Sequence, residues 1–347
     1  VKEILQTKKV NINWFDDDYH RTPLYRACGH GRVEIVKLLL KEKDIDVNIC
    51  NGDGGTPLFI ASQEGKTEVV QELLKDERVN INQLTHQLVS PLFMATQEGH
   101  IDTVRALLSS PKIDVNLCDE DGSTPLFIAS QKGYVDIVKL FLEDQRVDCN
   151  FQTRNKMTPF FIACEDGHIE IIKLMLQTPG IKLNALKEDG GTPFWQCCWG
   201  GKVDVVKLLL KDSRILHNLP NNQNVTPFFI ACEQGETEIV ELLSKTDFIE
   251  VNTNRDDEVS PLFMAANHGH VEVIKWILVT PRYINYDSTW EGKNAFQQAR
   301  GLGHHQAADL LESFEKNRDE VIFKLQKDLK LLGSILDRKS TRLNSSH

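Results

Sequence analysis

At 347 residues, with 41% hydrophobic and 26% charged side chains, the composition is that of an ordinary water-facing protein. A formal charge of −10 argues against a nucleic-acid-binding surface, because neutralising phosphates needs clustered Lys and Arg. No apolar run approaches the roughly 18 residues that a membrane-spanning helix requires.

The chain opens with VKEILQTKKV, which has no signal-peptide apolar stretch and no initiating Met, so the expectation is a fragment that begins inside a structural unit. Residues 1–21 read as the second helix and loop of a preceding copy. From there a Thr-Pro or Ser-Pro pair recurs every 34 residues, at Thr22, Thr56, Ser90, Thr124, Thr158, Thr192, Thr226 and Ser260. A degenerate copy, Asn294-Ala295, keeps the same grid. One spacing from end to end predicts a stacked repeat array, in which each unit touches only its neighbours.

Residues 48–81 show how one unit is built. Thr56 is the natural N-cap, and Pro57 sits at the first helical position, where its missing N–H costs nothing. LFIASQE makes a short first helix, stopped by Gly65 in the position that favours left-handed backbone. Every copy has glycine there, from Gly31 through Gly99, Gly133, Gly167, Gly201, Gly235 and Gly269 to Gly303. Val69, Val70, Leu73 and Leu74 lie at the spacing of one face of a second helix. DERVNIN then returns as an extended loop, and NGDGG supplies the turn.

Eight such units fill residues 22–293. Residues 294–314 form a degenerate terminal unit that is more polar on its outer side, as a cap requires. Residues 315–337 read as an amphipathic helix. Ile322, Leu325, Leu329, Leu332 and Leu336 make a heptad-like stripe, suited either to folding over the last unit or to a coiled coil. The terminal RKSTRLNSSH, residues 338–347, resembles translated sequencing-adapter read-through and is set aside.

The eight cysteines follow the same grid. Cys28, Cys164, Cys198 and Cys232 share one position, and Cys50 and Cys118 share another. They read as small filler in a reducing, intracellular setting, cytoplasmic or nuclear. The adjacent Cys197-Cys198 has no second pair at ligand spacing, so no metal is expected.

The string from the turn through T-P-L, A, G and E-V-V-x-x-L-L resembles the ankyrin repeat over roughly residues 1–312. The resemblance implies an all-α dominated solenoid of stacked helix-turn-helix units with β-hairpin tips and a concave binding groove. Two departures stand out. The period is 34 rather than 33, and the family's His after T-P-L is replaced by Tyr25, Phe59, Phe93, Phe127, Phe161, Trp195, Phe229 and Phe263. That His ties neighbouring repeats by hydrogen bonds, so packing is expected to take its place.

No catalytic signature emerges. There is no phosphate-cradling glycine loop, no G-x-S-x-G and no H-E-x-x-H. His100, His168, His270 and His304 follow the terminating glycine and read as part of the repeat. No enzyme activity, cofactor or metal is therefore expected.

The resemblance places partner contacts at the tips and at the two positions before the terminating glycine. Those pairs include Gln63-Glu64, Gln97-Glu98, Gln131-Lys132, Glu165-Asp166 and Glu233-Gln234. Trp199 breaks the polar pattern, with Trp195 one helical turn earlier, either as an interface hot spot or as packing between repeats. The tips concentrate acid at Asp16-Asp17-Asp18, Asp53, Asp119-Glu120-Asp121, Glu188-Asp189 and Asp256-Asp257-Glu258, either as turn chemistry or as a rim that steers a basic segment. Loop residues Asn48, Asn82, Asn116, Asn150 and Asn184 tie the hairpins or, as the resemblance also allows, serve an asparaginyl hydroxylase.

The expected function is a monomeric interaction scaffold that presents its groove to a protein or peptide, one of basic character if the rim steers it. The competing readings are an adaptor or substrate-recruiting segment of a larger enzyme (kinase or ubiquitin ligase) or channel, and an elastic spacer.

Overall fold

The computed structural model describes residues 11–280, 284, 286 and 288–331. The chain divides into two compact units, with the boundary between Ala185 and Leu186. The outer parts of the sequence reading, residues 1–10 and 338–347 together with Leu332 and Leu336, lie outside the described residues.

The first unit is a series of helix pairs: α1 Pro23–Gly29 with α2 Val33–Leu40, α3 Pro57–Gln63 with α4 Thr67–Leu73, α5 Pro91–Gln97 with α6 Ile101–Leu108, α7 Pro125–Lys132 with α8 Val135–Glu143, and α9 Pro159–Asp166 with α10 Ile169–Gln177. First helices pack on first helices and second on second, so the core runs lengthwise. The second unit repeats the scheme with α11 Pro193–Trp199, α12 Val203–Leu209, α13 Pro227–Gln234, α14 Thr237–Ser244, α15 Pro261–Asn267, α16 Val271–Val279, α17 Ala295–Gly301 and α18 His305–Lys316.

Local sequence sets each first helix. The Thr or Ser hydroxyl accepts from the backbone N–H three residues on at 3.0 to 3.3 Å in all eight copies. Each such cap stabilises its helix by about 1 kcal/mol. The degenerate copy reaches the same end by a capping box, in which Asn294 and Gln297 each accept from the other's backbone N–H. All nine terminating glycines have φ between 62° and 84°. At Gly65 a Cβ would also stand 2.7 Å from the His100 ring, so space and backbone both require glycine. On the second helix Val69, Val70 and Leu73 are fully buried, while Leu74 is half-buried at the C-cap.

Neighbouring repeats are joined by polar clamps as well as packing. In the first unit Asn48, Asn82, Asn116 and Asn150 donate Nδ2–H to the carbonyls of Arg78, Lys112, Arg146 and Gly180 at 2.8 to 2.9 Å. Their Oδ1 atoms accept from Asn80, Asp114, Asp148 and Lys182 at 2.7 to 2.9 Å. The loop Asn residues thus tie each loop to the next.

Arg78, gripped by Asp76 at 2.6 Å, donates Nη2–H to the Leu40 carbonyl at 2.7 Å, one of the acceptors that end α2. Arg146, gripped by Asp144, does the same to Leu108 at 2.7 Å. A cation at a helix C-terminus is favourable.

The tips take the expected hairpin form as short hydrogen-bonded turns. Asn51 N–H donates to Gly55 O at 2.8 Å, and Thr85 N–H to Val89 O at 3.0 Å. Among the described residues only one tip is long enough to register as strands, β1 Thr289–Trp290 paired antiparallel with β2 Lys293–Asn294. In the first unit three tips also reach a neighbouring tip by one backbone bond: Gly52 N–H to Tyr19 O at 3.1 Å, His86 N–H to Asp53 O at 3.0 Å and Arg154 N–H to Asp121 O at 2.9 Å.

The residue at the bend is left-handed in every copy described. Gly54 (φ 84°) and Gly122 (φ 79°) alternate with His20 (φ 54°), Leu88 (φ 60°) and Lys156 (φ 61°).

The aromatic row after Thr-Pro is buried. Phe59, Phe93 and Phe127 share a cluster with Val89, Ile128 and Ile162. All eight cysteines are free thiols, and those on the first helices are fully buried. Burial pushes the Cys28, Cys198 and Cys232 thiols far up, which suits inert filler.

The segment beyond the last repeat differs from a single helix over 315–337. The backbone breaks at Asn317 (φ −151°, ψ 80°), and α19, Arg318–Asp328, folds back onto α16 and α18. Leu325 is buried there, while Ile322 and Leu329 are half-buried. Arg318 lies over the rings of Tyr286 and Phe314, at 4.8 and 5.7 Å, and this contact helps fix the turn.

Candidate partner-binding surface

A first helix of two turns has only its last residues clear of the core. The structure leaves Glu64, Glu98, Gln131, Lys132, Asp166 and Gln234 exposed, and Gln63, Gln97, Glu165 and Glu233 half-buried. Three of their main-chain carbonyls, by contrast, are taken by the next repeat. His100 Nε2–H donates to Gln63 O at 2.9 Å, and His168 Nε2–H to Gln131 O at 2.8 Å. In the second unit His270 does the same to Glu233 O at 3.0 Å. His100, His168 and His270 are therefore inter-repeat ties. Among the described residues no group of three or more His, Cys, Asp or Glu is placed to hold a metal.

The two tryptophans part company. Trp195 is 6% exposed, and its indole Nε1–H donates to the Val225 carbonyl at 2.8 Å. This is a polar tie to the next repeat that the phenylalanines at this position cannot make. Trp199, on the last turn of α11, is 45% exposed. Of the pair, only Trp199 is exposed.

The acidic tips are partly neutralised from within. Asp16 takes Arg26 at 2.7 Å and Arg21 at 3.2 Å, and the hydrogen bond from Arg26 holds its carboxyl well below the usual range. Asp119 is half-buried and accepts from the backbone of Asp121 and Ser123, so it belongs to its own turn. In the second unit Lys187 meets Asp189 at 3.1 Å and Arg255 meets Asp257 at 2.6 Å. Asp53, Glu120, Asp121, Glu188 and Asp256 are exposed and carry no ion pair among the described residues.

The second unit gathers several of these residues around a cleft of about 500 Å³. Trp195, Val225 and Ile230 supply apolar lining, Asp189, Asn221, Asn222 and Gln223 the tip side, and Glu233 and Arg255 the helix side. Arg255 is half-buried, bound to Asp257 and 4.0 Å from Glu233. The cleft therefore offers a hydrophobic lining with both signs of charge at its edge, which suits a polypeptide side chain better than a small apolar ligand.

Sequence reasoning named Trp195, Asp189 and Glu233 but did not bring in the Asn221–Gln223 turn. That turn sits one repeat further on, at a distance in sequence that only the 34-residue grid connects.

A family model described as ankyrin repeats (3 copies) matches residues 1–85, 44–119, 64–153, 92–186, 141–221, 179–255 and 229–320. A comparison with curated proteins finds no match.

Proposed function

This chain belongs to the ankyrin-repeat family, and on that premise we propose that it is a non-catalytic scaffold for a protein or peptide partner of basic character. Ankyrin repeats generally serve protein–protein interaction. One observation carries the finer reading. Inter-repeat ties take up main-chain groups at the ends of three first helices while side chains there face solvent, and Trp199 is exposed at the matching end of α11. Exposed acid at Asp53, Glu120, Asp121, Glu188 and Asp256, with a net charge of −10, favours encounter with a basic segment. A framework already fixed by caps, clamps and ties loses little further freedom on binding.

The free thiols support a reducing compartment. Among the described residues no helix is long and apolar enough to cross a membrane.

The test is photo-crosslinking from Gln234 on the proposed surface, with Lys139 on a second helix as the control position. Trp199→Ala should weaken capture of the crosslinked partner by about ten-fold or more, in the range of an interface hot spot, and leave thermal unfolding nearly unchanged. Equal crosslinking from Lys139, or a Trp199→Ala protein that unfolds early yet captures normally, would refute the assignment of this surface.

A further inference from the structure

One corner of the second unit departs from the repeat in a chemically specific way. The residue after a terminating glycine lays its side chain over the glycine of the preceding repeat, as Lys66 does over Gly31 and Tyr134 over Gly99. The rings of His100, His168 and His270 come within 2.7 Å of the Cβ that Gly65, Gly133 and Gly235 would carry. From there Nε2–H donates to the carbonyl two residues before that glycine, at 2.8 to 3.0 Å. A hydrogen-bond donor at the negative end of a helix is well placed.

At position 236 the residue is glutamate. Its oxygens occupy the same place over Gly201, 2.7 and 2.8 Å from the Cβ that glycine would carry. The carbonyl in register is that of Trp199. An ionised carboxylate can only accept, as can a carbonyl, so at the C-terminal end of α11 an acceptor stands in the register where His100, His168 and His270 supply a donor. Among the described residues no hydrogen bond or ion pair meets the Glu236 carboxylate, and burial pushes its pKa up from the ordinary carboxylate value.

The same corner holds the exposed Trp199, followed by Gly200 with no side chain to fill the space. The side chain nearest a Cβ placed at Gly200 is the stem of Lys202, whose Cε would lie 3.9 Å away. What the corner lacks is a cation with several N–H donors and a flat or compact shape.

We propose that Trp199 and Glu236 form a socket for an arginine or lysine side chain of the protein partner. Its N–H groups donate to the Glu236 carboxylate and the Trp199 carbonyl, and its charge packs on the indole face. Arginine fits better, because its planar guanidinium can stack on the ring and bridge two acceptors at once. The socket rests on the reading of this protein as a partner-binding scaffold and names the chemistry that its surface selects.

The test titrates fluorescently labelled nona-arginine into the full chain, read by anisotropy at near-physiological salt. Glu236→His restores the donor that the other corners have. It should unfold no earlier than the wild type and bind nona-arginine about ten-fold more weakly, as should Glu236→Gln and Trp199→Ala. Asp204→Asn makes the same charge change as Glu236→Gln at an exposed site outside the corner and should bind like the wild type. Equal affinity of Glu236→His and the wild type would overturn the socket, and so would an Asp204→Asn loss as large as that of Glu236→Gln. Either result alongside a partner crosslinked from Gln234 would leave the scaffold reading standing. Absence of any crosslink would remove the reading on which the socket depends.

Discussion

Lys156 is the clearest case of strain held in a tip. It is exposed and left-handed at φ 61°, and its N–H donates to Thr153 O at 2.8 Å. A side chain in that conformation costs about 1–2 kcal/mol, whereas glycine adopts it without steric penalty. Glycine in turn loses more freedom on folding, about 0.5–1 kcal/mol. Because the lysine side chain is exposed, Lys156→Gly should stabilise the fold by a net of about 0.5–1 kcal/mol.

The matching substitution at Gly54 should go the other way, and further. Its φ is 84°, and a Cβ there would stand 2.9 Å from both the backbone nitrogen and the ring of His86 in the next tip. Gly54→Ala adds that clash to the left-handed cost, for a loss of about 2 kcal/mol or more. Urea unfolding followed by circular dichroism reads both. At a slope near 3 kcal/mol/M, Lys156→Gly should raise the midpoint by about 0.2–0.3 M, and Gly54→Ala should lower it by about 0.7 M. A Lys156→Gly midpoint at or below the wild type, with an unchanged slope, would refute the strain argument.

Trp195→Phe keeps an aromatic ring but removes one of the two donors to the Val225 carbonyl, which keeps the Asn221 N–H at 3.0 Å. It should cost about 0.5–1.5 kcal/mol in the same unfolding assay, and an unchanged midpoint would show that the indole bond contributes nothing. His270 gives the pH dependence. Burial, with smaller contributions from His268 and His304, lowers its pKa from 6.5, so the unfolded chain takes up the proton before the folded one. Its contribution is complete above about 6.5 and is lost as pH falls through the folded value. The melting temperature should therefore drop between pH 7.5 and 5.5, and drop less in His270→Gln; equal drops would place the titrating group elsewhere.

What the sequence made legible was local. Thr56, Pro57 and Gly65 act within one helix, so their roles follow from residue type and spacing, and the structure repeats them in copy after copy. Interactions that cross from one unit to the next were harder to read. Trp195 and Trp199 lie one helical turn apart, which suggested a shared environment. Yet Trp195 is roofed by Val225, thirty residues on, and Trp199 lies beyond the last buried turn. The tip carboxylates could be counted but not sorted, because whether Asp16, Asp189 or Asp257 is neutralised depends on where Arg26, Lys187 and Arg255 fold back. Glu236 was in plain view on the grid, the acid in a column of His, Lys, Tyr and Arg. Its meaning needed the knowledge that this column reaches over the glycine of the preceding repeat.

The alternation at the tips has a consequence for how such an array can change length. In the first unit the bend is glycine at Gly54 and Gly122 but not at Leu88, and the helix-capping arginines are Arg78 and Arg146 while Lys112 stands between them. Adjacent repeats are therefore not interchangeable, although every second one nearly is. Removing residues 56–123 would bring Arg146 to the end of α2, where Arg78 now sits, and set the Gly122 type of bend aside together with its partner Leu88. Removing half as many would put Lys112 there instead, with no guanidinium fork to meet the Leu40 carbonyl. The smallest piece that can be gained or lost without creating a new kind of junction is a pair of repeats.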